Sequence, residues 1–219
     1  MSESKFYNEK QIHLIETAER LFAVQGYAGT SIRDIAREGS VNSAMIYHYF
    51  GSKELLMEAI LEYRTSNVAR FLDQVLNQEL TPSEKISQLV ELYIDRATTH
   101  KYYYALLIQV QLLSRDSKIT QYFNTLRERN FRLLQTIVRA GQKKGVFQPD
   151  VDLTLLISTL AGTINHYVLN LNYFRSMHKS QEMTEEAYLV LVKKQLSTYL
   201  GSLLDKTLLV QPLPSEDRS

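Results

Sequence analysis

Apolar residues recur at helical spacing along nearly the whole chain, and the polar breaks between runs carry helix-start and helix-stop chemistry. Asn8, followed three residues later by Gln11, opens a first run in which Ile12, Ile15, Ala18, Leu21 and Phe22 share one face. Gly26 closes it. Thr30 or Ser31 caps a short second helix, with Asp34 three residues after Ser31 completing a capping box. Ile32, Ile35 and Ala36 give that helix a small apolar face. Gly39-Ser40 breaks it, Val41 plugs the turn, and Asn42 caps a third helix by accepting from the free N–H groups of its first turn. Ser52 then caps a long fourth run, from Lys53-Glu54 to about Asn77, which no Pro or Gly interrupts. These short early helices cannot stand alone, and the first one is expected to pack them.

The later pattern is also helical. Thr81-Pro82-Ser83-Glu84 supplies a cap, a proline at the first position and a glutamate at the third, starting a fifth helix that runs to about Thr98. Tyr102 to Leu113 is apolar nearly all round and reads as a buried sixth helix. A seventh spans Ser117 to Lys143, and Gly145 and Pro149 mark the loop after it. Asp150 caps an eighth helix with two apolar stripes. One stripe is Leu153, Leu156, Leu160, Ile164, Val168 and Leu171; the other is Leu155, Thr159, Gly162, His166, Leu169 and Tyr173. Two apolar faces need two partners, and one protomer core supplies one. Thr184 starts a ninth helix with a stripe of Tyr188, Leu189, Val192, Leu196, Tyr199 and Leu203. The fold class is all-α. Residues 1–53 form an amino-terminal three-helix domain, residues 54–208 a helical bundle joined to it by the fourth helix, and residues 209–219 a disordered tail.

Composition narrows the function. The chain has no cysteine, which removes disulfides, cysteine zinc sites and thiol catalysis. The five histidines show no metal-ligand spacing, so no metal or cofactor is expected. Neither helical Glu-x-x-His pairs nor a nucleophile motif points to an enzyme. The longest greasy stretch, Val151–Phe174, contains Asp152, Asn165, His166, Asn170 and Asn172, so no membrane span is expected. With a polar amino end, a cytoplasmic protein follows. A net charge of +1 does not advertise a nucleic-acid binder, and residues 1–64 carry seven Lys and Arg against nine carboxylates.

The motif makes the case that bulk charge does not. Two short helices joined by a glycine-containing turn form the helix-turn-helix unit that reads DNA. Ala18, Leu21, Phe22, Gly26, Tyr27, Thr30, Ile35-Ala36, Val41, Ile46-Tyr47-His48-Tyr49-Phe50 and Ser52-Lys53-Glu54-Leu55 stand in the order and spacing of the tetracycline-repressor (TetR/AcrR) family. The chain resembles that family strongly over its first quarter. Two positions depart from the usual pattern: Gly39-Ser40 where the turn commonly reads Ala-Gly, and Ala44 where Gly is frequent. Ser40 must therefore accept a backbone shape usually given to Gly.

The resemblance implies a homodimeric transcriptional regulator, a ligand-responsive repressor on a palindromic double-stranded DNA operator. Ser43, Ala44, Met45 and Tyr47 would lie nearest the bases, with Arg33 within reach of a base or phosphate. Ser31, Tyr47, His48 and Lys53 would contact phosphates, helped by the free N–H groups that open the fourth helix. The eighth and ninth predicted helices would form the dimer. Helices five to eight would enclose a small amphipathic or aromatic effector, with Tyr103, Gln109, Asn165 and His166 as wall residues. A buried amide such as Gln109 needs a partner, which another helix or a bound molecule can supply. The alternative is a DNA-bound adaptor that docks a protein partner instead of sensing a small molecule.

Overall fold

The computed structural model describes residues 7–111 and 118–210. Among these the chain forms ten helices: α1 (Glu9–Gln25), α2 (Ile32–Glu38), α3 (Ser43–Phe50), α4 (Lys53–Asn77), α5 (Pro82–Thr99), α6 (Lys101–Val110), α7 (Lys118–Lys143), α8 (Leu153–Leu169), α9 (Leu171–Met177) and α10 (Glu185–Leu208). The described residues include no strand, and no helix among them is long and apolar enough to cross a membrane. The all-α expectation holds.

Local caps set the helix starts. Asn8 and Gln11 form a complete capping box on α1, as do Ser31 and Asp34 on α2. The Glu84 carboxylate accepts from the Thr81 N–H and hydroxyl at 2.8 and 2.7 Å, opening α5. Three expectations need correction. The cap of α8 is Asp152 rather than Asp150; its side chain accepts from the Leu155 N–H. The eighth predicted helix is two helices, because the chain leaves helical geometry at Asn170, so the ninth predicted helix is α10. Leu209 and Val210, expected in the tail, are bonded: the Val210 N–H donates to the Val146 carbonyl at 3.0 Å and Leu209 bridges Phe147. Residues 211–219 of the predicted tail, and 112–113 of the predicted sixth helix, lie outside the described residues.

The chain divides into two compact units, and both are discontinuous in sequence. One is drawn from Met1–Gln74 with His100–Asn130, the other from Val75–Thr99 with Phe131–Ser219. In the first, α1 packs on α2 and α6, and α2 packs on α3. Its core joins Leu14, Ile15, Ala18 and Phe22 to Ile35, Ile46, Leu56 and Ile60, all essentially sealed from solvent. The buried Glu19 carboxylate accepts from the Arg64 guanidinium at 2.7 Å, tying α1 to α4, with Glu16 at 3.3 Å. Burial alone would lower the Arg64 pKa, but the hydrogen bond and charge of Glu19, with Glu16, raise it instead.

In the second unit α5 packs on α8 and α10, and α8 on α9. Tyr188, Val192, Leu196, Leu200, Leu204 and Leu208 form the buried stripe of α10, one residue per turn. The Lys193 ammonium pairs with Asp95 of α5. Gly141 lets Phe147 bury its ring against α7, because a Cβ there would stand 2.1 Å from that ring.

Candidate nucleic-acid interface and effector-site residues

The α2–turn–α3 unit is built from local chemistry outward. Ser31 accepts from the Asp34 N–H at 3.2 Å, while its own N–H and hydroxyl donate to the Asp34 carboxylate at 3.0 and 2.6 Å. Those bonds, the hydroxyl first, hold the Asp34 pKa below its usual value, with Arg37 adding its charge. Ser31 thus spends its hydroxyl inside the cap. Arg33, two residues on, is exposed and makes no ion pair among the described residues.

The turn depends on two backbone features. A Cβ on Gly39 would lie 2.8 Å from Leu14 Cδ2 and 3.1 Å from the Ile35 carbonyl oxygen, so the glycine lets the Leu14 side chain of α1 pack close against the turn. Ser40 has φ +53°, the left-handed region that disfavours a β-carbon. The backbone shape expected of Ser40 is the one it adopts. Val41 returns its N–H to the Ala36 carbonyl at 2.9 Å and closes the turn.

The Asn42 side chain accepts from the Met45 N–H at 2.8 Å and starts α3. Helical period then sorts the residues. Ile46 and Phe50 are buried, Ala44, Tyr47 and His48 are exposed, and Ser43 and Met45 are half-buried. Tyr47 exposes 54% of its surface, an unusual amount for a residue that could pack. These side chains form one outward face with a hydroxyl, an imidazole and small or apolar groups.

Lys53 begins α4 on that same segment. Its ammonium donates to the Tyr27 carbonyl and lies 4.2 Å from the centre of the Tyr27 ring and 5.7 Å from that of Phe22. Burial lowers its pKa, with Glu54 opposing. The buried Tyr27 hydroxyl lies near the Glu54 carboxylate without a hydrogen bond of normal geometry. Burial, then that carboxylate, push its pKa up to about 12. Two of the directions around the ammonium are therefore taken by Tyr27, and a third donor remains.

Beside the outward face of α3, a groove of about 400 Å³ runs along Glu9, Lys10, His13, Gly39, Ser40, Val41 and Met45. Nothing in the local sequence pattern joins Lys10 and His13 to Met45. They lie some thirty residues upstream, and only the packing of α1 across the turn joins them. Tyr27 was likewise legible only as a small-core residue.

The four expected effector-wall residues fall in both units. Tyr103 and Gln109 belong to the first unit, Asn165 and His166 to the second. Tyr103 is buried, edge-on to Tyr104 at 5.4 Å. The Gln109 amide donates to the Ala23 carbonyl of α1 at 2.8 Å, so its protein partner is a helix. Asn165 accepts from the Tyr93 hydroxyl at 3.1 Å, and His166 is exposed, edge-on to Phe174 at 5.8 Å. None of the four lines the groove. Among the described residues, no group of three acidic or histidine side chains is placed to hold a metal ion.

Known proteins resemble the chain in sequence and in fold. The family model for bacterial regulatory proteins of the tetR family matches residues 14–60, and that for the tetracyclin repressor-like C-terminal domain matches residues 82–193. The uncharacterized HTH-type transcriptional regulator YerO of Bacillus subtilis is 26% identical over 170 residues, 76% of this chain and 57% of that protein. The HTH-type transcriptional repressor NicS of Pseudomonas putida is 24% identical over 184 residues, 82% of this chain and 87% of that protein. Among solved structures, the ketosteroid transcriptional regulator KstR2 of Mycobacterium tuberculosis superposes with a TM-score of 0.74 at 19% identity, covering 94% of this chain and 98% of that one. AibR, solved with isovaleryl coenzyme A and operator DNA, gives a TM-score of 0.68 at 20% identity, covering 89% and 97%.

Proposed function

Because the chain belongs to the tetR family of bacterial regulatory proteins, and so is a DNA-binding helix-turn-helix transcriptional regulator, we propose that it is a ligand-responsive repressor gripping a palindromic operator as a homodimer. The observation that carries the DNA contact is the outward face of α3. Ala44, Tyr47 and His48 stand exposed there, Ser43 and Met45 flank them, and Lys53 follows at the start of α4. Ser43, Ala44 and Met45 offer no bidentate donor pair, so the helix reads largely by close approach and by apolar contact with thymine methyls. Arg33 is the guanine or phosphate contact. Tyr47, His48 and Lys53 hold the backbone, while Ser31, its donors spent on Asp34, sets where α2 begins.

The apolar surface of α8 to α10 supports the dimer. Leu156, Ile164 and Val168 are buried, whereas Leu155, Leu169 and Tyr173 are exposed, as are Val190 and Tyr199 of α10. A second copy of the chain covers that surface, pairing α8 and α10 with their equivalents. The effector is a small amphipathic or aromatic molecule. Isovaleryl coenzyme A, held by the similar AibR, is amphipathic and makes acyl-CoA thioesters the first class to try. Effector binding releases DNA only if the effector prefers a state whose reading helices no longer match the operator. Operator and effector must then weaken each other by the same factor, typically about 1–3 kcal/mol.

Selection from a random DNA pool tests the reading. An inverted repeat is expected, with half-sites about 34–36 Å apart or a multiple of it. No enrichment over the starting pool would sink the proposal. An acyl-CoA series titrated into free protein and into the selected complex tests the switch, and equal affinities would overturn it.

A further inference from the structure

The carbonyls that end α1 lead to a residue far from the reading helix. The last four carbonyls of a helix lack intrahelical partners, and here these belong to Phe22, Ala23, Val24 and Gln25. Phe22 accepts from the Gly26 N–H at 3.0 Å. Ala23 accepts from the side-chain amide of Gln109, 86 residues downstream on α6, at 2.8 Å. The loop that follows is stitched back onto this end. The Thr30 hydroxyl donates to the Gly26 carbonyl at 2.9 Å, and Gly29 passes so close to Gln25 that a Cβ would sit 2.6 Å from its carbonyl oxygen. Tyr27 occupies the loop, its ring 5.2 Å from Phe22, and its carbonyl and ring hold the Lys53 ammonium.

From this geometry we propose that Gln109 is a positioning residue for DNA binding. It fixes the last turn of α1, the turn fixes Tyr27, and Tyr27 aims Lys53 at a phosphate. The inference rests on the reading of Lys53 as a phosphate contact. A lysine ammonium is a point charge on a flexible stem, so its direction must come from its surroundings. In this chain the Tyr27 carbonyl and ring supply that direction, leaving the third N–H donor for DNA. Without the Gln109 amide, the Ala23 carbonyl loses its partner and the last turn of α1 frays, carrying Tyr27 with it. Gln111 is the internal contrast: the same side chain two residues later donates to the Leu107 carbonyl of its own helix at 3.3 Å and touches none of this network.

Counterion release separates this role from simple stabilisation. The slope of log affinity against log salt counts neutralised phosphates, changing by about 0.9 for each contact on duplex DNA. The probe is a duplex recovered by selection from random DNA, with thermal melting followed for every variant. Lys53→Met should lower the slope by about one contact per protomer. Gln109→Met and the isosteric Gln109→Glu should each lower it equally. Gln109→Met combined with Lys53→Met should lower it no further, and Gln111→Met should leave it unchanged. A full slope in the Gln109 variants, or an additive double variant, would overturn the proposal. An unchanged slope in Lys53→Met would remove the phosphate contact and the proposal with it, while operator binding by the wild type would still support the repressor reading.

Discussion

Helices α3 and α8 both leave one face uncovered, and the two faces differ in kind. On α3 the exposed groups are Ala44, Tyr47 and His48, two of which carry hydrogen-bonding atoms. On α8 the large exposed side chains are Leu155 and Leu169, with Thr154, Ser158, Thr159 and His166 exposed beside them, continued by Tyr173 of α9. Each helix also has a buried side, Ile46 and Phe50 for α3, Leu156, Ile164 and Val168 for α8. The inner sides obey the same rule of burial. The outer sides show that exposure alone says nothing of the occupant, which is set by whether the uncovered groups want polar partners or a dry surface.

The largest effect is expected when the α8 face is charged. Leu155→Glu places a carboxylate on the proposed contact, facing its own copy in a two-fold interface. The expected outcome is a monomer by light scattering and an operator affinity lower by on the order of 100-fold, about 2.7 kcal/mol. A Leu155→Glu dimer would mean that α8 does not carry the interface. The next largest effect distinguishes buried from exposed apolar positions on α10. Leu196→Ala, in the buried stripe, should cost about 2–5 kcal/mol in chemical denaturation, whereas Val190→Ala, exposed, should change monomer stability little. Dilution below the dissociation range of the proposed dimer keeps the two readouts apart.

On the α3 side, Arg33→Ala should relax preference at one guanine per half-site and cost about 1–3 kcal/mol of discrimination, read by repeating the DNA selection. A uniform loss over all sequences would make Arg33 a phosphate contact instead. The smallest expected effect is in the turn that precedes α3. Ser40→Gly relieves a β-carbon held at φ +53° and should stabilise the folded chain by up to about 1 kcal/mol, with the selected operator sequence unchanged. A lower melting temperature would show that the Ser40 side chain contributes more than its backbone strain costs.

Much of this was legible along the chain, for a physical reason. A capping box joins residues three apart, so Asn8 with Gln11 and Ser31 with Asp34 carry their own geometry wherever the helices go. The positive φ of Ser40 was legible through the resemblance, because Ser40 stands where the family commonly has Gly. The alternation of α3 into buried Ile46 and Phe50 and exposed Tyr47 follows from helical period alone. The split of α8 from α9 at Asn170 escaped, because the apolar pattern continues across it without a glycine or proline.

Partner choice was decided by tertiary structure. Gln109 was recognisable as an amide in need of a bond, but a bound molecule and a neighbouring helix were equal candidates until α6 lay along α1 and brought Ala23 to 2.8 Å. Lys53 was recognisable as a cation at a helix start, and only the fold placed Tyr27 against it. The same holds for the two units, each assembled from separated stretches of chain. Short-range sequence determines caps, turns and which face of a helix is apolar, because those energies lie within one helical turn. Which helix meets that face depends on packing summed over the whole chain, and so do the bonds that long polar side chains make there.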